Sequence, residues 1–246
     1  MNGVPATLRQ HEAGERPDVR AGLDRAQLLH LLEQAEHRIE TLRRSERLQQ
    51  ALYAIADLAG GDLDTQEMLR RIHAVVGELM YAENCYIVLY DEERMKLRFL
   101  YFVDQQDGWV NDPDAELDVS EEENGLTMNL LRTGEAMRGP SHLLRERYGI
   151  RWHARSGPDS ADWLGVPMLR DGRVVGGVVV QSYDRPDLYN EEDRALLAYV
   201  AQHILTALDR HHAREQLEQW VEQRTHELRQ ANIDLQAEVM ERQRSQ

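Results

Sequence analysis

The stretch RDGRVVGGVVVQ, Arg170 to Gln181, decides how the middle of this chain is read. Gly172, Gly176 and Gly177 fall close together and suit either a phosphate-cradling loop or a β-hairpin. A phosphate loop needs its glycines between a strand and a helix, usually closed by Lys-Ser or Lys-Thr. Here Gly176 and Gly177 sit inside the β-branched run VVGGVVV, with neither lysine nor hydroxyl directly after it. Asp171-Gly172 separates the apolar runs LGVPML and VVGGVVV, a strong hairpin signal. The glycines are expected to bend and pack, and a nucleotide loop is not expected.

Outward from the hairpin, NCYIVLYDEERMKLRFLYFV reads as two more strands around an Asp91-Glu92-Glu93-Arg94 turn. Cys85, Ile87 and Leu89 alternate with Tyr86, Val88 and Tyr90, so both faces are apolar and a sheet covered on both sides by helices is expected. Upstream, Thr65 to Met80 carries Met68, Leu69, Ile72, Val75, Val76 and Leu79 on one side of a helix. Between the strands and the hairpin, residues 104–123 hold nine acidic residues and no basic one. Their DPDAELD segment lacks the turn glycine and terminal glutamate of a calcium loop, and a solvated acidic loop is expected. A short helix follows from Leu126 to Arg132, closed at Gly134, and residues 139–162 read as irregular. Asn190 with Glu191, Glu192 and Asp193 caps a helix through Leu196, Leu197, Val200, Ile204 and Leu208. No proline or glycine follows Pro186, so that helix can run to the end of the chain.

The flanks carry heptad-like stripes. Leu28, Leu32, Ala35, Ile39 and Leu42 recur at spacings of four and three, as in a coiled-coil seam, and Leu217, Val221, Leu228 and Leu235 form a second, partial one. The first stripe slips in phase near Ser45. Beyond it, Leu48, Leu52, Ile55 and Ala59 fit either a continued coil or an amphipathic helix lying on its own domain. Residues 1–22 are polar, with no periodic apolar face, and read as a disordered arm.

The totals exclude several classes. With a net charge of −15 over 246 residues, unspecific binding to nucleic acid or an anionic membrane is not expected. Cys85 is the single cysteine, which rules out an intrachain disulfide and a cysteine-rich metal site. No apolar run approaches a membrane span and the first twenty residues lack a signal-peptide core, so a cytoplasmic location is expected.

The ordered set LYAIADLA, AENCYIVLYDEERMKL, NGLTMNLLRTGEAM and WLGVPMLRDGRVVGGVVVQSYDRPDLYNEEDRALLAYVAQHI resembles the GAF domain, a small-molecule sensor module of signalling proteins. The resemblance covers roughly residues 48–210. It implies an α+β fold, an antiparallel sheet covered by helices on both faces, with long terminal coiled-coil helices. The implied organisation is an arm over 1–22, a signalling helix over 23–47, the GAF domain over 48–210 and a coiled-coil linker over 211–246. QRTHELRQANIDLQAEVMERQRSQ is similar to linkers that precede further sensor modules or diguanylate cyclase domains in bacterial proteins.

Three short motifs compete with this reading. GGDLD at Gly60 to Asp64 lacks the second acid and the aromatic of a diguanylate cyclase signature and separates two helices, so a loop is expected. THELR at Thr225 to Arg229 is similar to a histidine-kinase phosphoacceptor box, but Gln230-Ala231 follows where Thr-Pro belongs; an ordinary coil histidine at 226 is expected. Cys85 and His142 suggest a bilin site in some relatives, yet Cys85 falls in a strand and reads as core. The cyclic-nucleotide pattern of binding relatives is mostly missing around LYNEED.

No nucleophile–base pair, metal-ligand spacing or nucleotide loop emerges, so the residues present are expected to perform no catalysis and to need no evident cofactor. A pocket for an unknown small molecule is expected between the sheet and residues 104–162, lined by Tyr90, Tyr101, Trp109, Trp152, Trp163 and Gln181. The expected partners are a second copy in a parallel homodimer and a covalently linked output domain.

Overall fold

In the computed structural model, residues 25–108, 112–119, 125–151 and 157–244 are described. In chain order their elements are α1 (Arg25–Gly60), α2 (Thr65–Leu79), β1 (Asn84–Asp91), β2 (Lys96–Val103), β3 (Leu117–Asp118), α3 (Leu126–Thr133), β4 (Met137–Gly139), α4 (Ser141–Tyr148), β5 (Asp162–Arg170), β6 (Arg173–Ser182) and α5 (Glu191–Arg244). The expected arm over 1–22 lies outside the described residues.

The hairpin at the centre is as read from the sequence. β5 and β6 pair from Asp162↔Ser182 to Arg170↔Arg173, leaving Asp171 and Gly172 as a two-residue turn. Both have positive φ, 51° and 79°, the geometry whose twist matches that of the flanking strands. β6 pairs on its other edge with β1, and β1 with β2, all antiparallel. The sheet order is β3-β2-β1-β6-β5-β4.

Alternation along the strands sends side chains to two separate cores. Cys85, Ile87, Leu164, Val166, Val178 and Val180 pack with Ile55, Met68, Leu69, Ile72, Leu197, Val200 and Ile204, so α1, α2 and α5 cover this face. Tyr86, Trp163 and Val179 pack with Leu130 of α3 and Leu144 of α4 on the other face, where Val88 and Tyr90 meet Met128 and Leu131. The fold is therefore α+β, an antiparallel sheet with helices on both faces. For the second stripe of α1, Ile55 and Ala59 are buried and Leu52 packs against the core while Leu48 is 40% exposed, so the helix lies on its own domain from Leu52 onward.

Two expectations are corrected. Residues 139–162 are not simply irregular, because β4 ends at Gly139 and α4 occupies Ser141–Tyr148, with the Ser141 hydroxyl accepting from the Ser160 N–H at 3.0 Å. The acidic segment is not wholly solvated either. β3 pairs with the start of β2, Val119 is buried, and Arg94 makes two hydrogen bonds to Glu116 at 2.9 and 3.0 Å.

α5 starts as its sequence dictates. The Asn190 side chain accepts from the N–H groups of Glu192 and Asp193 at 2.8 and 3.1 Å, and Asp193 accepts from the Asn190 N–H at 2.9 Å. This reciprocal box satisfies donors that the first helical turn would leave unpaired. Asn190→Ala is expected to lower stability by about 1 kcal/mol; a chemical denaturation curve matching the parent would contradict that assignment.

By its contacts the chain divides into two units, residues 1–46 and 47–246. The described part of the first is the helix to Glu46, whose Leu28, Leu32, Ala35, Ile39 and Leu42 are all exposed. In the second, the last apolar side chain of α5 packed on the core is Leu208. Farther along, Leu217, Trp220, Val221, Leu228, Ile233 and Leu235 are exposed, Leu228 at 70%. Among the described residues no helix is long and apolar enough to cross a membrane.

Candidate functional site

The sheet divides the residues expected to line one pocket. Tyr90, Trp163 and Gln181 lie on the face covered by α3 and α4, since they alternate in step with Val88, Gly165 and Val179. Tyr101 pairs with Ile87 and faces α2 instead, so its place in the expected pocket is corrected. Trp109 and Trp152 lie outside the described residues.

On the α3 face, polar groups gather at the end of the sheet where β1 begins and β6 finishes. The Asp104 carboxylate accepts from the Tyr183 hydroxyl at 2.8 Å, the Gln181 side-chain amide at 2.8 Å, and the N–H groups of Gln106 and Asp107 at 2.9 and 2.8 Å. Asn84, fully buried, donates to the Gln181 carbonyl at 3.0 Å and accepts from the Gln105 N–H at 2.8 Å. Together these bonds fix the chain as it leaves β2. Burial pushes the Tyr183 hydroxyl far above its ordinary range, and its bond to Asp104 adds to the rise. It stays a donor at any physiological pH.

Deeper on the same face, the Tyr86 hydroxyl exchanges a hydrogen bond with Thr127 at 2.8 Å. Burial raises Tyr86 to about 12. Trp163 is 2% exposed, and its ring lies over Gly165, where a Cβ would come within 2.2 Å of it. The described part of this face is a packed aromatic floor bordered by neutral donors and a carboxylate. Cys85 points to the opposite face, among the residues of α1, α2 and α5, and burial there pushes its thiol up to about 12 and leaves it neutral. Among the described residues, no group of three or more His, Cys, Asp or Glu could hold a metal ion.

Tyr101 belongs to a different arrangement. Its hydroxyl bonds His73 Nδ1 at 2.8 Å, while His73 Nε2 lies 2.6 Å from the Ala82 carbonyl. A carbonyl only accepts, so Nε2 carries the proton, and in the neutral ring Nδ1 accepts from Tyr101. Tyr101 also borders a depression with Asp64, Gln66, Glu67, Arg70 and Val103. There Glu67 is bound by Arg70 and Arg71, whose hydrogen bonds hold its carboxyl down at about 2. Its charges answer one another, so nothing there calls for an ionic ligand.

Asp104, Tyr183, Asn84, Tyr86 and Thr127 were not singled out from the sequence. Tyr183 lies just past the end of β6, where strand alternation no longer places a side chain.

A sequence profile of the GAF domain family matches residues 62–209. Among solved structures, the chain is similar to the GAF domain of an Acinetobacter phosphoenolpyruvate-protein phosphotransferase, with 19% identity, coverage of 67% of this chain and 94% of that one, and a TM-score of 0.52. The GAF domain of the Coxiella burnetii phosphoenolpyruvate-protein phosphotransferase gives 17% identity, 70% and 96% coverage, and a TM-score of 0.54. Residues 122 to 287 of a methyl-accepting chemotaxis protein give 17% identity, 65% and 97% coverage, and a TM-score of 0.50. At these identities the likeness concerns the fold alone. No curated protein matches the sequence.

Proposed function

The chain belongs to the GAF domain family, and from that premise we propose that it is a regulatory sensory module with α5 as its output element. One observation carries the reading. The same helix that covers the sheet through Leu197, Val200 and Ile204 continues without proline or glycine to Arg244. A change in the sheet is thereby offered a continuous rod. A ligand acts on such a rod only if it binds two of its arrangements unequally, with a typical coupling of about 1–3 kcal/mol.

The proposed ligand is a polar small molecule on the face of Trp163, Gln181 and Tyr183. Thermal melts against a metabolite panel test it. The expected hit stabilises the parent and does so less in Tyr183→Phe, which strips one donor from Asp104. A panel that never shifts the parent favours the second reading, a dimerisation scaffold without ligand. The ring of Trp163 filling the floor over Gly165 supports that alternative.

We also propose a parallel homodimer. Large apolar side chains exposed at seam spacing, from Leu28 to Leu42 and from Leu217 to Leu235, support it. Sedimentation of the full chain at about tens of micromolar is expected to show a dimer, and Ile39→Asp with Leu228→Asp to show monomer. A monomeric parent removes the dimer from the proposal. The proposed receiver is a covalently linked output domain, for which a cyclic-di-GMP-synthesising GGDEF domain is favoured over a histidine kinase because of the linker-like stretch Gln223 to Gln246. In this reading residues 1–246 regulate and do no chemistry themselves. Activity of a linked cyclase that does not respond to seam substitutions would dismiss this receiver.

A further inference from the structure

α5 is gripped by charge just beyond its last packed apolar residue. Arg170, at the end of β5, donates to both oxygens of Asp209, from Nε at 3.2 Å and from Nη2. Asp62, in the turn between α1 and α2, accepts from Arg214 Nη1, whose Nε also donates to Glu218 at 3.0 Å. The Arg210 guanidinium lies along the same turn, 3.4 Å from where a Cβ on Gly60 would sit. At about 100° per residue, Asp209 stands about 100° from Arg210 and about 140° from Arg214 around the helix axis. The two loops therefore meet α5 on different sides.

We propose that Asp62 and Arg170 form a two-sided ionic brace that sets the rotation of α5 where it leaves the core. The proposal rests on α5 being the output element. It also gives a role to the GGDLD stretch, whose Asp62 holds Arg214 while Asp64 caps α2 by accepting from the Glu67 N–H at 3.0 Å. Each side of the brace answers to a different part of the domain. The α1–α2 turn moves with residues 47–60 of α1, and Arg170 moves with the β5–β6 hairpin. All four partners are solvent-exposed, Arg170 and Asp209 at 48% and 45%, Arg214 and Asp62 at 61% and 86%. Exposed pairs are individually weak and screened by salt, so this brace is one a small bias can release. Apolar packing up to Leu208 remains when it opens.

Pulsed electron-spin distances within one chain test the brace. Spin labels go on Glu93→Cys, in the β1–β2 turn, and Glu222→Cys on α5, in full-length protein diluted with excess unlabelled chain. Dilution keeps each distance within one protomer, so the outcome does not depend on whether the chain dimerises. Cys85 stays in place because its buried, neutral thiol does not label. The expected result is a narrow distribution in the parent. It should become about twofold wider, or shift, in Asp62→Asn/Arg170→Gln and in the parent at about 1 M salt. The swap Arg170→Asp/Asp209→Arg should remain narrow, which a merely looser surface would not explain. The substituted side chains are exposed, the neutralising ones keep much of the native shape, and unchanged circular dichroism and melting confirm folding. A distribution in the neutralised variant that superimposes on the parent's at the same salt overturns the brace, while leaving the sensory reading to be judged by ligand and cyclase response.

Discussion

Gly176→Ala is expected to destabilise the protein by about 3 kcal/mol or more, the upper end of overpacking effects. A Cβ at this position would sit 2.2 Å from the Val88 carbonyl oxygen and 2.5 Å from Met168 Cε. The methionine tip can swing away. The carbonyl belongs to β1, whose pairing with β6 ends at Leu89↔Gly176, so relief requires that end of the ladder to open. Gly177→Ala is milder because its Cβ would meet the Leu130 side chain at 3.0 Å and the Val166 carbonyl at 3.3 Å. A shift of a few tenths of an ångström in Leu130 accommodates most of it, at about 1–2 kcal/mol. Denaturation curves of the two variants decide the matter. Equal midpoints would mean that the close approach of β1 to β6 is not what requires glycine at 176. Nucleotide is expected to shift neither protein, as the hairpin geometry demands.

Asp162→Ala should cost a comparable amount, about 3 kcal/mol, by stranding buried donors. Asp162 is 1% exposed; one oxygen accepts from the N–H groups of Leu188 at 2.7 Å and Tyr189 at 3.0 Å, and the other from Trp163 at 3.0 Å. These bonds shape the chain between β6 and α5, where Arg138 also reaches the Tyr189 carbonyl at 2.5 Å. Asp162→Asn keeps one carbonyl oxygen and should lose about half as much. Amide hydrogen exchange gives the specific readout. Leu188 and Tyr189 should lose protection in the alanine variant before the rest of the sheet does. Uniform loss across the domain would assign Asp162 a general packing role instead.

Strand and hairpin positions were legible because their physics is local. Alternation in NCYIVLY, β-branched crowding around Gly176 and the Asp171-Gly172 turn each fix a few neighbouring residues. α4 was not legible, since its eight residues bury only Ser141 and Leu144 and leave Leu143 in solvent. β3 is two residues long and lies in a run of acids, where its bonds depend on Arg94 and Lys96. Asp104 was hidden for a related reason. Read alone it is the first of many solvated acids, and its partners Gln181 and Tyr183 arrive 77 and 79 residues later. The misplacement of Tyr101 has another cause. Alternation tells which residues of one strand share a face, but not how that strand is registered against the next. The pairing of Tyr101 with Ile87, beside an irregularity between Ile87 and Val88, is a tertiary fact.

The separation of the two cores by the sheet has a consequence for how this molecule can diverge. Side chains from α3 and α4 meet Tyr86, Trp163 and Val179, whereas α1, α2 and α5 meet the opposite set, so among the described residues the two cores share the strands themselves. Lineages can rebuild the Trp163 side while the packing that seats α1, α2 and α5 is inherited unchanged. The strand backbones enjoy no such licence. Gly176 and Gly177 together answer to both populations of neighbours, the first to Met168 and the β1 backbone, the second to Leu130 of α3, and drift should be slowest there even though neither has a side chain to conserve.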